Sequence, residues 1–332
     1  MCSVTLTTRG SRTDVIGRIV EISGESRYLS VDRGFMVVKH RDEEVGRVAL
    51  DDISGLICTA HGATYSNNLI MALSQRGCPI VLCGANFMPA AIIWPTQTHH
   101  LQSARLDGQI AMSKPARGRL WKDLVKSKIS MQAAALALCG KRNAHIKAMV
   151  RKVRAADASN VEGQAARAYW VTIFGREFRR DPDSDGVNGL LNYGYAIIRS
   201  AVARHLMAAG LHPGIPLHHS NDGNPMRLVD DVMEPFRPIV DCVVWRMHER
   251  GVNDVDANSK RVLAVLPAQN LVLDSGVSPV SLVIQRLCIS LAQYCVDGET
   301  KLELPHTSKG ILGALWDDDK SGEDAIKEEG DD

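Results

Sequence analysis

Three short segments in the second half of the chain concentrate polar groups able to hold a cation against a phosphate. The first reads Asp157-Ala-Ser-Asn160-Val-Glu162-Gly-Gln-Ala-Ala-Arg167-Ala-Tyr169-Trp170. Asn160 suits the cap of a helix, which puts Glu162 in the first turn, where a carboxylate complements the helix dipole. Arg167 follows Glu162 by five residues, so the pair lacks the i,i+4 spacing of a surface ion pair. The second segment is Leu217-His218-His219-Ser220-Asn221, and the third is Leu228-Val-Asp230-Asp231-Val-Met-Glu234-Pro-Phe-Arg237-Pro238. On a helix Asp230 and Asp231 share a face with Glu234, and their mutual repulsion calls for a cation or an arginine. Arg237, one turn on, is the intrachain answer; a bound divalent ion is the functional one. Two carboxylates with one imidazole suit Mg²⁺ or Mn²⁺. Cys242 is the only nearby thiol and has no CxxC partner, which disfavours a zinc-thiolate site. His205 and His212 could join His218 as ligands, but they read more simply as structural or surface histidines.

The charge distribution points to a polyanionic partner. Over the 332 residues the formal net charge is only +1, yet Lys114 to Arg154 holds twelve Lys or Arg against one acid, Asp123. From Asp317 to Asp332 nine acids stand against Lys320 and Lys327. A basic block in a helical region suits a phosphate backbone, and the acidic tail is expected to be disordered. Aromatic residues make up only 5%, which argues against an RNA surface built on base stacking. The eight cysteines lie mostly in apolar runs such as Gly77–Cys83 and read as small buried hydrophobes. Met1 to Thr13 lacks the apolar stretch of a signal peptide, and no segment approaches the roughly 18 apolar residues of a membrane span. A cytoplasmic protein with reduced thiols is expected.

The elements that must position these residues change character along the chain. Gly17–Ile22, Tyr28–Val31, Phe35–Val38, Val45–Leu50 and Ile53–Cys58 read as strands, with Arg41 to Glu44 as a hairpin turn. A helix over Asn67–Ser74 leads to strands at Pro79–Leu82 and Ala90–Trp94. After His99 the periodicity is helical. Leu120, Leu124, Ile129, Ala133, Ala134 and Leu138 trace an apolar stripe within the basic block, and later helices are expected at Val161–Phe174, Asp185–Ala209, Arg227–Met247, Ser259–Leu266 and Ser278–Tyr294. The class is α+β: a β-rich domain over 1–98, a larger all-α catalytic domain over 99–316, and an acidic tail over 317–332.

The strings Asn160–Trp170, Asn188-Gly-Leu-Leu-Asn192-Tyr-Gly-Tyr195, His218-His219-Ser-Asn221 and Asp231–Pro238 occur in that order. Together they resemble the spacer-acquisition integrases of CRISPR systems, the Cas1 family, in particular its type II branch. The resemblance spans about residues 17–300 and is tight from Asp157 to Asp241. It implies an N-terminal β-sandwich, a helical catalytic domain, and a metal held by Glu162, His219 and Glu234. His219 is preferred over His218 because its spacing to Glu234 matches the type II pattern, and Asp231 matches an acid that supports or shares the site in some relatives. The implied partners are double-stranded DNA, a second copy of the chain, and a small Cas2-like dimer that completes a larger integration complex. Residues 1–16 and the tail match nothing in the pattern.

A divalent ion on these ligands would stabilise the charge that develops as a 3′-hydroxyl attacks a phosphodiester; water attacking instead gives cleavage. Arg167, Arg176, Arg179, Arg180 and Arg237 are candidate phosphate contacts. Two other readings compete: a stand-alone metal nuclease on branched DNA or RNA, and a non-catalytic DNA-binding scaffold. Acids beside a phosphate argue against the scaffold unless a cation intervenes.

Overall fold

Alternating apolar residues bounded by tight turns build the first part of the chain as two small sheets. The computed structural model describes residues 18–84, 89–95, 100–181 and 183–307; residues 1–16 and the acidic tail lie outside them. One sheet orders as β1-β5-β7-β8, from Arg18–Ile22 (β1), Ile53–Cys58 (β5), Ile80–Cys83 (β7) and Pro89–Ile93 (β8). The other orders as β4-β3-β2-β6, from Glu43–Ala49 (β4), Phe35–His40 (β3), Arg27–Asp32 (β2) and Thr64–Tyr65 (β6). Arg41 and Asp42 take positive φ of 50° and 67°, the left-handed two-residue loop that joins twisted strands, as expected for this turn. Both sheets and helix α1 (Asn67–Gln75) bury side chains in one core, among them Leu29, Met36, Leu56, Leu69 and Ile80.

The change from strand to helix falls between β8 and α2 (His100–Ala111). There follow α3 (Lys114–Leu138), α4 (Ala144–Met149), α5 (Val161–Phe174), α6 (Val187–Ala208), α7 (Arg227–Met233), α8 (Arg237–Glu249), α9 (Ala257–Ala264) and α10 (Val280–Asp297). The mixed α/β class and the succession of a strand region by a mainly helical one agree with the sequence reading.

Two expectations are corrected. The single helix over Arg227–Met247 is broken by a 3₁₀ turn at Glu234–Phe236. Pro235 and Pro238 lack N–H donors and crowd the preceding turn, so the α-helix cannot run through. The helix expected from Ser278 begins at Val280, because Gly276–Pro279 (β10) pairs with Asn270–Leu273 (β9) in a hairpin. By length and composition alone α10 could cross a bilayer. Half of it is buried, Ile284, Leu287 and Cys288 completely, as befits a core helix.

The chain forms two compact units. The first takes the described residues up to Arg117 with Arg199–Val232 and Ile284–Glu303; the second takes Gly118–Ile198, Met233–Val283 and the described residues from Leu304.

Candidate active site

Helix α3 is central to the second unit and is buried on every side over much of its length. Ile129 and Met131 are fully buried, and of the expected stripe Leu120, Leu124, Ile129, Ala133 and Ala134 are buried. Lys128 falls one turn after Leu124 and is only 8% exposed. Its ammonium lies 2.5 Å from Glu162 Oε1 and 2.5 Å from Glu234 Oε2. Burial opposes this charge, but the carboxylates of Glu234 and Glu162 outweigh it and hold the Lys128 pKa above its ordinary value.

Both glutamates are fixed by local backbone. Asp157, itself buried, accepts from the amides of Val161 and Glu162 at 2.9 Å each. Asn160 caps α5 as expected, accepting from the Gly163 amide at 3.1 Å. Asp157 and Asn160 take positive φ, 47° and 50°, and a Cβ on Gly163 would meet Asn160 Oδ1 at 2.6 Å. Glu234 opens the 3₁₀ turn and is 5% exposed. Arg237 Nε donates to its Oε1 at 2.9 Å. The Arg237 guanidinium also sits 4.7 Å over the Tyr195 ring. Tyr195 donates to Asp241, as does Tyr169 at 3.0 Å. Burial pushes the Asp241 carboxyl up to about 7, against these two hydrogen bonds.

His219 and Asp231 belong to the first unit. Asp231 is completely buried and accepts from the amides of Leu217, His218 and His219 at 2.7, 3.1 and 3.2 Å. His219 Nδ1 lies 2.6 Å from Asp231 Oδ1. A carboxylate can only accept here, so Nδ1 carries the proton, which in the neutral ring leaves the lone pair on Nε2, the usual support for a ligating imidazole. His218 is exposed. Asp230 turns instead to Arg199 Nε at 2.6 Å and Asn224 Nδ2 at 2.5 Å. The acids expected to form one repelling cluster thus each have their own partners.

His205 is fully buried, which drives its pKa down to about 3, and His212 Nδ1 accepts from the Gly214 amide. Both are structural, as read. Arg180 is engaged by Asn188 and Asn192, and Arg237 by Glu234, whereas Arg167, Arg176 and Arg179 are exposed. Lys114, Arg119, Arg142, Lys147, Arg151, Lys152 and Arg154 of the basic block are exposed as well. The described cysteines are all free, and all but Cys83 are buried.

Sequence reasoning missed Lys128, Asp157 and the Asp241 cluster. Lys128 was legible as the one charge on an apolar stripe, and Asp241 as an acid within Pro238-Ile-Val-Asp241-Cys-Val-Val. Among the described residues no three or more His, Cys, Asp or Glu side chains come together closely enough to hold a metal. Glu162 and Glu234 nevertheless converge on a single cation, the Lys128 ammonium. That pair of hard oxygen donors fits Mg²⁺ or Mn²⁺.

A sequence model of the family described as CRISPR associated protein Cas1 matches residues 20–266. The chain is 34% identical over 225 residues to the CRISPR-associated endonuclease Cas1 of Neisseria meningitidis serogroup C, spanning 67% of this chain and 73% of that one. It is 30% identical over 238 residues to a CRISPR-associated endonuclease Cas1 of Pyrobaculum aerophilum, spanning 66% and 78%. In fold it resembles a casposase bound to integration product, with TM-score 0.68 and 19% identity over 86% of this chain and 97% of the other. A Cas1 protein from Thermotoga maritima gives TM-score 0.62 at 15% identity over 88% and 98%. The chain belongs to the Cas1 family.

Proposed function

We propose that this chain is a metal-dependent DNA endonuclease and integrase of CRISPR adaptation, which inserts short duplexes into a repeat array. The observation that carries the site reading is the convergence of Glu162 and Glu234 on one cation in a Cas1-family chain. Glu162, Glu234 and His219 through Nε2 would hold Mg²⁺ or Mn²⁺, which when bound supplies charge to polarise a phosphoryl oxygen. Asp231 fixes the ring and the loop that carry Nε2. Arg167, Arg176 and the exposed block after Lys114 would take the phosphate backbone. In integration a 3′-hydroxyl oxygen bonds to phosphorus as the P–O bond to the displaced strand breaks; with water the same exchange is cleavage.

Two strand transfers are needed to insert a duplex, and the described residues of each chain offer one such site, so at least two copies act together. The β-rich region, read as a sandwich closed on its shared core, would form the homodimer. A Cas2-like dimer would join two such pairs; a partial Cas6-RT-Cas1–Cas2 complex is among the solved structures of similar fold. The setting is cytoplasmic. The test combines the protein, a short duplex, a supercoiled repeat-containing plasmid, Mg²⁺ or Mn²⁺, and the Cas2-like partner. Plasmid-joined duplex that requires both metal and partner is expected. Cleavage without joining would favour a stand-alone nuclease, and absence of both reactions would contradict the proposal.

A further inference from the structure

We infer that Lys128 is a built-in counter-cation: it fills the carboxylate site of the metal-free protein, must leave when a divalent ion binds, and so sets the affinity for metal. The inference rests on the proposed metal site at Glu162 and Glu234. Lys128 comes from the buried helix α3, with its side chain 10% exposed, and it touches both carboxylates at the same distance, 2.5 Å. Divalent ions of this class take carboxylate oxygens at roughly 2.0–2.1 Å, so ammonium and metal need the same small space. A protonated amine has three donors and no acceptor, so it cannot become a ligand and can only compete.

The geometry also shows how the exchange would proceed. Glu234 keeps Arg237 on its other oxygen, at 2.9 Å, whichever cation occupies Oε2. Its orientation therefore survives the departure of Lys128. The lysine stem has four carbons, so the ammonium would leave by rotation of its side chain rather than by movement of the helix. In the metal-free protein the lysine holds together two carboxylates that would otherwise repel.

Mn²⁺ titration of the full chain, followed by the electron paramagnetic resonance of free Mn²⁺, tests this in wild type, Lys128→Met, Lys128→Gln and Glu162→Gln. Removing a competing positive charge should tighten binding about tenfold in both Lys128 variants. Their metal-free melting temperatures should fall below wild type and recover more on Mn²⁺ addition. In wild type, reductive methylation of Lys128, read by mass spectrometry, should rise several-fold with Mn²⁺, a measurement that needs no variant to fold. Unchanged or weaker Mn²⁺ binding in the folded Lys128 variants, or equal methylation with and without metal, would overturn the role of Lys128. If Glu162→Gln binds Mn²⁺ like wild type, the ion sits elsewhere, and the metal-site reading falls together with this inference.

Discussion

Two carboxylate centres in this chain meet the same electrostatic problem in opposite ways. In the second unit Glu162 and Glu234 are neutralised by cationic side chains, Lys128 and Arg237. In the first unit Asp231 is neutralised by three backbone amides and one imidazole N–H. A side-chain cation can be exchanged for another cation, whereas a backbone amide cannot leave. The glutamates therefore form a centre open to exchange, and Asp231 a fixed support for His219.

Substitutions of the proposed metal ligands should affect chemistry most. Glu162→Gln, Glu234→Gln and His219→Ala are each expected to lower strand transfer and cleavage at least roughly 10²–10³-fold. Their circular dichroism should match wild type in a plasmid-integration assay run alongside. Near-normal activity in any one would remove that residue from the site.

The fixed support should respond in stability first. Asp231→Ala removes the buried acceptor of three part-buried backbone amides, so a fall in melting temperature beyond that of His219→Ala is expected. The His219 side chain is 39% exposed and has less to lose. Equal melting temperatures would mean that Asp231 does not anchor the loop that carries His219.

Much of this was written in the sequence, unevenly. The strands and α5 follow from alternation and a cap, because those signals are local. Glu162, His219 and Glu234 stood out as polar groups in ordered motifs, yet what each one touches depends on residues distant in the chain. Lys128 precedes Glu162 by 34 residues, and no local pattern pairs them. The break at Glu234 was visible as Pro235 and Pro238 but was outweighed by helical periodicity on both sides. The β9–β10 hairpin is only four residues on each arm, too short to show a period.

A smaller effect concerns Asp241, which lies behind Arg237 and Tyr195. Its carboxyl is raised from 3.8 to about 7 by burial, so the folded state favours the protonated form. That stability is full below the ordinary value and is lost as pH rises through about 7. The melting temperature should fall as pH rises from 3.8 to about 7, and Asp241→Asn should flatten the profile. An unchanged profile in Asp241→Asn would place the titration elsewhere.

The smallest expected effects lie on the exposed arginines. Arg167→Ala and Arg176→Ala should weaken DNA binding alike for all sequences and reduce its salt dependence by about one counterion each. A change in sequence preference would mean that they read bases instead.

The central claim is that the fixed histidine and the exchangeable glutamates serve one divalent ion. Pulsed electron paramagnetic resonance of Mn²⁺-loaded protein tests it directly. A nitrogen coupling from one imidazole is expected, lost in His219→Gln and kept in His218→Gln. The absence of any nitrogen coupling, or a coupling that survives His219→Gln, would contradict the account.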